Sequence, residues 1–165
     1  MTPESVFDEL HEPVFRFLYR MTHRADIAED LTQECFLALM RHPERFDASR
    51  GDMRTYLFGI ARNLALKHYR DHRPEVALDD FDAPAAAVIS GPELASAVEQ
   101  AIGGLPPLQQ EAVILFEYEG FTLEETARVA GTDVGTVKSR LHRARARLKR
   151  ALAPYRKVGC NYESA

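Results

Sequence analysis

The residues of this chain best suited to chemistry are cations, and they are clustered. Residues 134–157 hold nine bases and no acid. On a 3.6-residue wheel, Val137, Leu141, Ala144, Leu148 and Ala151 or Leu152 make one narrow apolar stripe. Gly135, Ser139, His142 and Ala146 fall opposite it, all small or polar. Lys138, Arg145 and Lys149 flank that face on one side, and Arg140, Arg143, Arg147 and Arg150 on the other. Small and hydrogen-bonding side chains can enter a major groove while bases on both shoulders reach phosphates. A merely solvated helix, or one docked on an acidic protein, would usually mix in Glu or Asp. Double-stranded DNA is therefore the expected ligand of this segment.

A second basic block lies at 46–74, where the polar, glycine-containing loop FDASRGD precedes MRTYLFGIARNLALKHYR. Aromatic residues Tyr56, Phe58 and Tyr69 interleave with Arg50, Arg54, Arg62, Lys67, Arg70 and Arg73. Unpaired bases are held by aromatic platforms and a loop pocket flanked by positive charge. Leu57, Ile60, Ala61, Leu64 and Phe58 read as core, but core packing gives no reason for the cations. His68 and His72 stand four apart, a spacing that binds metal only with further ligands, and none is near. No Gly-rich phosphate loop, Ser-His-Asp order or paired-carboxylate arrangement is visible. The expectation is a protein with no catalytic residues, no metal and no cofactor.

These blocks must be positioned by helices, because no alternating strand pattern appears. Ser5 to His11 reads as a short helix, and Pro13 either opens a second helix or kinks one that continues to about Thr22. Further helices are expected at 26–41, with Asp26 and Glu29 at capping-box spacing, and at 53–70. Beyond these come 93–102, 107–119, 122–130 and 134–153, the last capped by Asp133. Charge alternates along the chain: net −5 over residues 1–40, +4 over 41–73, twelve acids against Arg128 alone over 74–133, then the acid-free block. Such segregation suits two nucleic-acid contacts and a basic partner. The Ala-, Asp- and Pro-rich stretch 74–92 reads as a tether. Its acids Glu75, Asp79, Asp80 and Asp82 fit either a solvating linker or a mimic of nucleic acid. The chain thus reads as all-α: two small helical domains, 1–73 and 93–157, a flexible linker 74–92, and a tail 158–165. Cys35 and Cys160 form no CxxC pair, no apolar run approaches membrane-spanning length, and the acidic start is unlike a signal peptide. A cytoplasmic protein without membrane insertion is expected.

FTLEETARVAGTDVGTVKSRLHRARARLKR resembles region 4.2 of the sigma-70 family, and LPPLQQEAVILFEYEGFTLEETA resembles region 4.1. In that family this domain reads the −35 promoter element. By that resemblance Thr136, Lys138, Ser139, Arg140, His142 and Arg143 contact DNA, with Arg145 and Arg147 on the shoulders. Asp133 departs from the proline many relatives carry there, though it still suits a helix N-cap. LuxR-type regulators share such a helix-turn-helix, so the first half of the chain must decide.

On helix 26–41 the wheel buries Ile27, Leu31, Cys35, Ala38 and Leu39. It leaves Asp26, Asp30, Gln33, Glu34 and Leu37 on one outer face. By residue type alone, that face is equally a solvated acidic surface or a docking patch. ADIAEDLTQECFLAL is similar to region 2.2 of extracytoplasmic-function (ECF) sigma factors, which implies docking on the clamp helices of the largest RNA polymerase subunit. FDASRGDMRTYLFGIARNLALKHYRDHRP resembles regions 2.3 and 2.4. That resemblance implies that loop 46–53, with Ser49, Arg50 and Asp52, captures a flipped −10 base. Tyr56, where the family often has tryptophan, and Arg62, Asn63, Lys67 and Arg70 would lie along the −10 DNA. The short linker marks the ECF type. The resemblance further implies contact of region 4 with the flap of the second-largest polymerase subunit, promoter DNA as ligand, and an anti-sigma factor as a candidate partner. The implied function is promoter recognition and DNA melting for transcription initiation. Rival readings, a stand-alone dimeric DNA-binding regulator or a protein-interaction adaptor, explain fewer residues: the first lacks an effector domain, and the second leaves the acid-free helix unexplained.

Overall fold

The computed structural model describes residues 2–73, Leu78 and residues 94–155, and all regular structure among them is helical. The tether 74–92 with its acids, and the tail with Cys160, lie outside the described residues apart from Leu78. α1 (Pro3–Thr22) begins on a reciprocal cap, Thr2 Oγ1 accepting from the Ser5 amide and Ser5 Oγ from the Thr2 amide, both at 3.1 Å. Pro13 neither starts nor ends a helix; α1 runs through it. Burial of Val14, Phe17, Leu18 and Met21, each 0 % exposed, outweighs the one helical hydrogen bond that proline removes.

α2 (Ala25–Arg41) starts one residue earlier than expected and is not capped by Asp26. Asp26 instead takes both arms of Arg24, at 3.2 and 2.8 Å, which holds its carboxyl below the usual range. The buried stripe of α2 is Ala28, Thr32, Cys35, Phe36 and Leu39, so the helix is turned by about one position from the wheel reading. Ile27, Leu31 and Ala38 sit at the margin. Thr32 can lie inside because its hydroxyl donates to the Ala28 carbonyl at 2.6 Å.

A single 3₁₀ turn (Pro43–Arg45) leads to the loop before α3 (Met53–His72), which Asp52 caps by accepting from the Thr55 amide at 2.8 Å. α1, α2 and α3 pack on one another. Phe17 meets Phe58 at 5.5 Å between ring centroids, and the Tyr69 hydroxyl donates to the Met21 carbonyl at 2.8 Å.

The second group comprises α4 (Leu94–Gly103), α5 (Pro107–Val113) continuing as a wider π turn (Ile114–Tyr118), α6 (Leu123–Ala130) and α7 (Val134–Ala151). α6 carries a capping box, Thr122 with Glu125, and stops at Gly131, whose φ of 63° a side chain would disfavour. Asp133 caps α7 through the Thr136 amide at 2.7 Å, as expected. α5, α6 and α7 bury Val113, Val129, Val137, Leu141 and Ala144 together.

The two groups are not held apart. Their buried residues form one continuous cluster, and α6 lies on α3. Phe121, 2 % exposed, meets Phe58 edge-on at 5.0 Å, while the Arg54 guanidinium lies 3.8 Å from the Phe121 ring centroid. The Leu78 carbonyl accepts from the Leu108 amide at 2.9 Å.

Candidate nucleic-acid interface

α7 presents the surface that its wheel predicts on one side only. Gly135, Ser139, His142 and Ala146 are exposed, as are Lys138, Arg145 and Lys149 on one shoulder; Thr136 is half-buried. Arg145 is tethered loosely at the surface by Glu117, at 2.9 Å. The other shoulder is turned into the protein over Arg140, Arg143 and Arg147, and only Arg150 at its end is exposed. Arg147 is only 4 % exposed and so is not the outward phosphate-reaching residue the wheel suggested. Arg143 is half-buried, and the Arg140 side chain is 12 % exposed. The reason is tertiary: α7 packs on α5 and α6, and the apolar stripe is too narrow to fill that contact without the arginine stems.

In the first group, loop 46–52 is ordered by its own polar groups. Asp47 Oδ1 accepts from the Ser49 amide at 2.9 Å and from its hydroxyl at 2.6 Å, which lowers the Asp47 carboxyl. The amide and hydroxyl of Thr55 do the same for Asp52. Ser49, Arg50, Asp52, Asn63, Lys67 and Arg70 are exposed, and Tyr56 is half-buried with its ring 5.4 Å from Phe46. Tyr56 is the one aromatic of the three expected here that a base could reach. Phe58 at 0 % and Tyr69 at 8 % exposed belong to the core. A cleft of about 670 Å³ runs between this loop and α6, with Arg50, Tyr56 and Asn63 on one wall and Arg128 and Gly131 on the other.

Arg62 differs from its neighbours. Its Nε and Nη2 reach the two carboxylate oxygens of Glu111 at 2.9 and 3.1 Å, a two-pronged pair across the junction of the groups. Glu111 is fully buried, with Arg140 Nη1 3.8 Å from the same carboxylate. Burial pushes the Glu111 carboxyl up, against the pull of Arg62 and Arg140. Nearby, Arg54 donates to the Glu119 carbonyl, Arg16 and Arg20 approach the Glu119 carboxylate at 3.8 and 3.9 Å, and Arg20 lies over Tyr118. Sequence reasoning did not find Glu111, Glu119 or Phe121. The available signal was an acid, Glu111, opening the apolar run AVILF directly after two glutamines; Gln109, Gln110 and Glu111 are all fully buried.

The α2 face is as expected. Asp26, Asp30, Gln33, Glu34 and Leu37 are all exposed, Leu37 at 42 %, with Met40 beside it at 61 %. Cys35 points the other way, donating to the Leu57 carbonyl, and burial pushes its thiol up to about 12. His68 and His72 stack at 4.2 Å, and no group of three His, Cys, Asp or Glu side chains suited to a metal occurs among the described residues. Among those residues no helix is long and apolar enough to cross a membrane.

The two surfaces sit on a helical bundle with a basic loop-helix and on a helix-turn-helix. Residues 6–75 match the model of Sigma-70 region 2, and residues 95–148 that of Sigma-70, region 4. The ECF RNA polymerase sigma factor EcfG of Rhodopseudomonas palustris is 36% identical over 142 residues, covering 82% of this chain and 77% of that one. SigW of Bacillus subtilis is 29% identical, covering 89% and 87%. SigE of Mycolicibacterium smegmatis is 32% identical over 86% of this chain, which spans 58% of SigE's length. Among solved structures, the sigma factor RpoE of Bartonella quintana, in complex with the anti-sigma factor NepR, has a TM-score of 0.71 at 26% identity, covering 91% and 96%. CnrH, solved with the cytosolic domain of CnrY, shares the fold with a TM-score of 0.70 at 23% identity. The chain belongs to the ECF sigma factors of the sigma-70 family. It binds RNA polymerase and directs it to promoters, and is not itself an enzyme.

Proposed function

We propose a division of that work among three surfaces. The outer face of α7 reads the −35 element, with Ser139, His142 and Lys138 toward base edges and Thr136, Arg145 and Lys149 toward phosphates. Arg140 and Arg143 reach DNA only from the margin of that face. Loop 46–53 takes a flipped −10 base against Tyr56, and Arg62, Asn63, Lys67 and Arg70 follow the unpaired strand. The α2 face docks on the clamp helices of the largest polymerase subunit, while region 4 meets the flap of the second-largest. The observation carrying this reading is the exposed, acid-free α7 face bearing Ser139 and His142 between cations. An anti-sigma factor is a candidate partner, supported by the likeness to RpoE, which was solved with one. A cytoplasmic site of action goes with these partners.

Mixing the purified chain with core polymerase and promoter DNA tests the reading. The holoenzyme should protect both elements from cleavage and render −10 thymines reactive to permanganate. Substitution at Asn63 or in loop 46–53 should leave −35 protection intact and suppress that reactivity, and a premelted bubble should partly restore it. Loop variants that open promoters as well as wild type would overturn the −10 assignment.

A further inference from the structure

We propose that Asp133 is a specificity-determining residue of the −35 face, selecting a cytosine at the end of the element where α7 enters the groove. The inference rests on α7 being the −35 reader. A recognition helix sets its N-terminal residues against base edges, and Asp133 stands at that end of α7. It is exposed, and it lies on the outer side of the helix. A Cβ placed on Gly135, one of the small residues of the outer face, would stand 3.4 Å from Asp133 Oδ1. Glycine keeps that approach open. The carboxylate therefore borders the same surface as Lys138, Ser139 and His142, all of them exposed.

The carboxylate is also held still. Its Oδ1 accepts from the Thr136 amide at 2.7 Å, and the Thr136 hydroxyl donates to the carboxylate as well. These bonds, with a smaller pull from the charge of Arg140, hold the carboxyl below its usual range. Asp133 is therefore ionised and can only accept hydrogen bonds. A carboxylate has about four acceptor positions, and Thr136 takes two of them. In the major groove the matching donor is the cytosine N4 amino group, whereas guanine O6 and N7 and thymine O4 are acceptors that a carboxylate repels. Adenine offers its N6 amino group beside the acceptor N7 and is a poorer partner. Phosphates repel the acid too. Asp133 thus adds nothing to affinity on DNA at large and gains on one base, a discrimination that the cations of the open shoulder cannot supply.

The test uses the full-length chain assembled with core polymerase, in wild type, Asp133→Ser and Asp133→Asn. The DNA is a promoter the holoenzyme opens, with its −35 element randomised. Serine and asparagine both cap helices as aspartate does, so core binding should match wild type in each variant. Wild type should select cytosine at one edge position of the element by about tenfold over guanine or thymine. Asp133→Ser should flatten that position alone, weakening the cytosine site and strengthening the others as phosphate repulsion is relieved. Asp133→Asn can donate to N7 while accepting from N6, so it should move the preference to adenine. It decides the matter should Asp133→Ser lose core binding. A damaged cap would instead weaken all sites alike and leave base frequencies as they were. That result, or frequencies matching wild type at every position in the folded variants, overturns the proposal. Lys138→Ala and His142→Ala in the same selection keep it distinct from the reading it rests on. If they shift other positions while the Asp133 variants shift none, Asp133 alone is wrongly assigned. If no variant shifts any position, α7 is not the −35 reader.

Discussion

Lys138 and His142 are exposed on the outer face of α7, whereas Arg145 and Lys149 occupy its open shoulder. Base-edge hydrogen bonds carry sequence information and phosphate contacts do not. Lys138→Ala or His142→Ala should change which −35 sequences are preferred, by roughly 1–3 kcal/mol for each well-formed hydrogen-bonding pair removed from a base edge. Arg145→Ala or Lys149→Ala should weaken binding alike on all sequences and reduce the salt slope by about one unit. Competition binding on a randomised −35 library at two salt concentrations separates the two; unchanged preferences in the Lys138 and His142 variants would remove them from the reading face. Arg147 belongs to neither group, because it is buried. The wheel placed it on a shoulder correctly as an angle, but whether a shoulder faces solvent or α5 is decided by tertiary packing that no periodicity contains. Cys35 shows the opposite. Its apolar neighbours in sequence already mark it as core, and the structure agrees at 0 % exposed. Burial pushes its thiol up to about 12, which favours the neutral thiol over the reactive thiolate. Alkylation by iodoacetamide at pH 8 should therefore modify Cys35 only at denaturing urea concentrations, as read by peptide mass spectrometry. Rapid labelling in the native protein would contradict its burial.

At the scale of elements, α2 has one buried face and one exposed acidic face. Its inner stripe is closed by Phe36 and Cys35, so the outer carboxylates can change without disturbing the core. Charge reversal by Asp30→Lys with Glu34→Lys should leave the helical circular dichroism unchanged and abolish co-purification with core polymerase. Retention of core binding by the double variant would show that α2 is only a solvated acidic surface. The sequence pattern located α2 to within a residue and named its outer face correctly. It misplaced the inner stripe by one position, because it ranked Ile27 and Leu31 above Thr32 for burial, and the Thr32 hydroxyl is satisfied within the helix by the Ala28 carbonyl. α1 teaches a related lesson. Pro13 reads on local rules as a helix start or a kink, yet buried side chains on both flanks, Val6 and Leu10 before it and Val14, Phe17 and Leu18 after it, hold the helix continuous across it. Cap signals gave a mixed result: Asp133 accepts the Thr136 amide as expected and Asp26 caps nothing, while Asp52 and Thr122, not singled out in the sequence, each accept the amide three residues on.

For the whole molecule, the decisive feature is the junction between regions 2 and 4, which charge patterning and linker composition do not reveal. Both signals describe each domain's surface, whereas the junction is made by buried groups, Phe58, Phe121 and Glu111, contributed singly from elements that looked self-contained. Phe58 and Phe121 belong to different domains, and their rings meet edge-on at 5.0 Å. With that pair formed in solution, the stabilities of the two domains are linked through it. The link can be isolated from neighbours private to one ring, such as Phe17 beside Phe58, by a double-mutant cycle with Phe58→Leu and Phe121→Leu. Private terms cancel in the cycle, leaving the pair together with Arg54, whose guanidinium lies over both rings. An edge-to-face pair of this kind should give a coupling energy of about 0.5–1.5 kcal/mol in urea denaturation of the full chain. Wild type should then unfold in one cooperative transition followed alike by probes in both domains, and each single variant should shift both probes. A coupling of zero, with the probe in region 4 unmoved by Phe58→Leu, would mean the domains unfold independently and that the Phe58–Phe121 contact is not formed in the free chain.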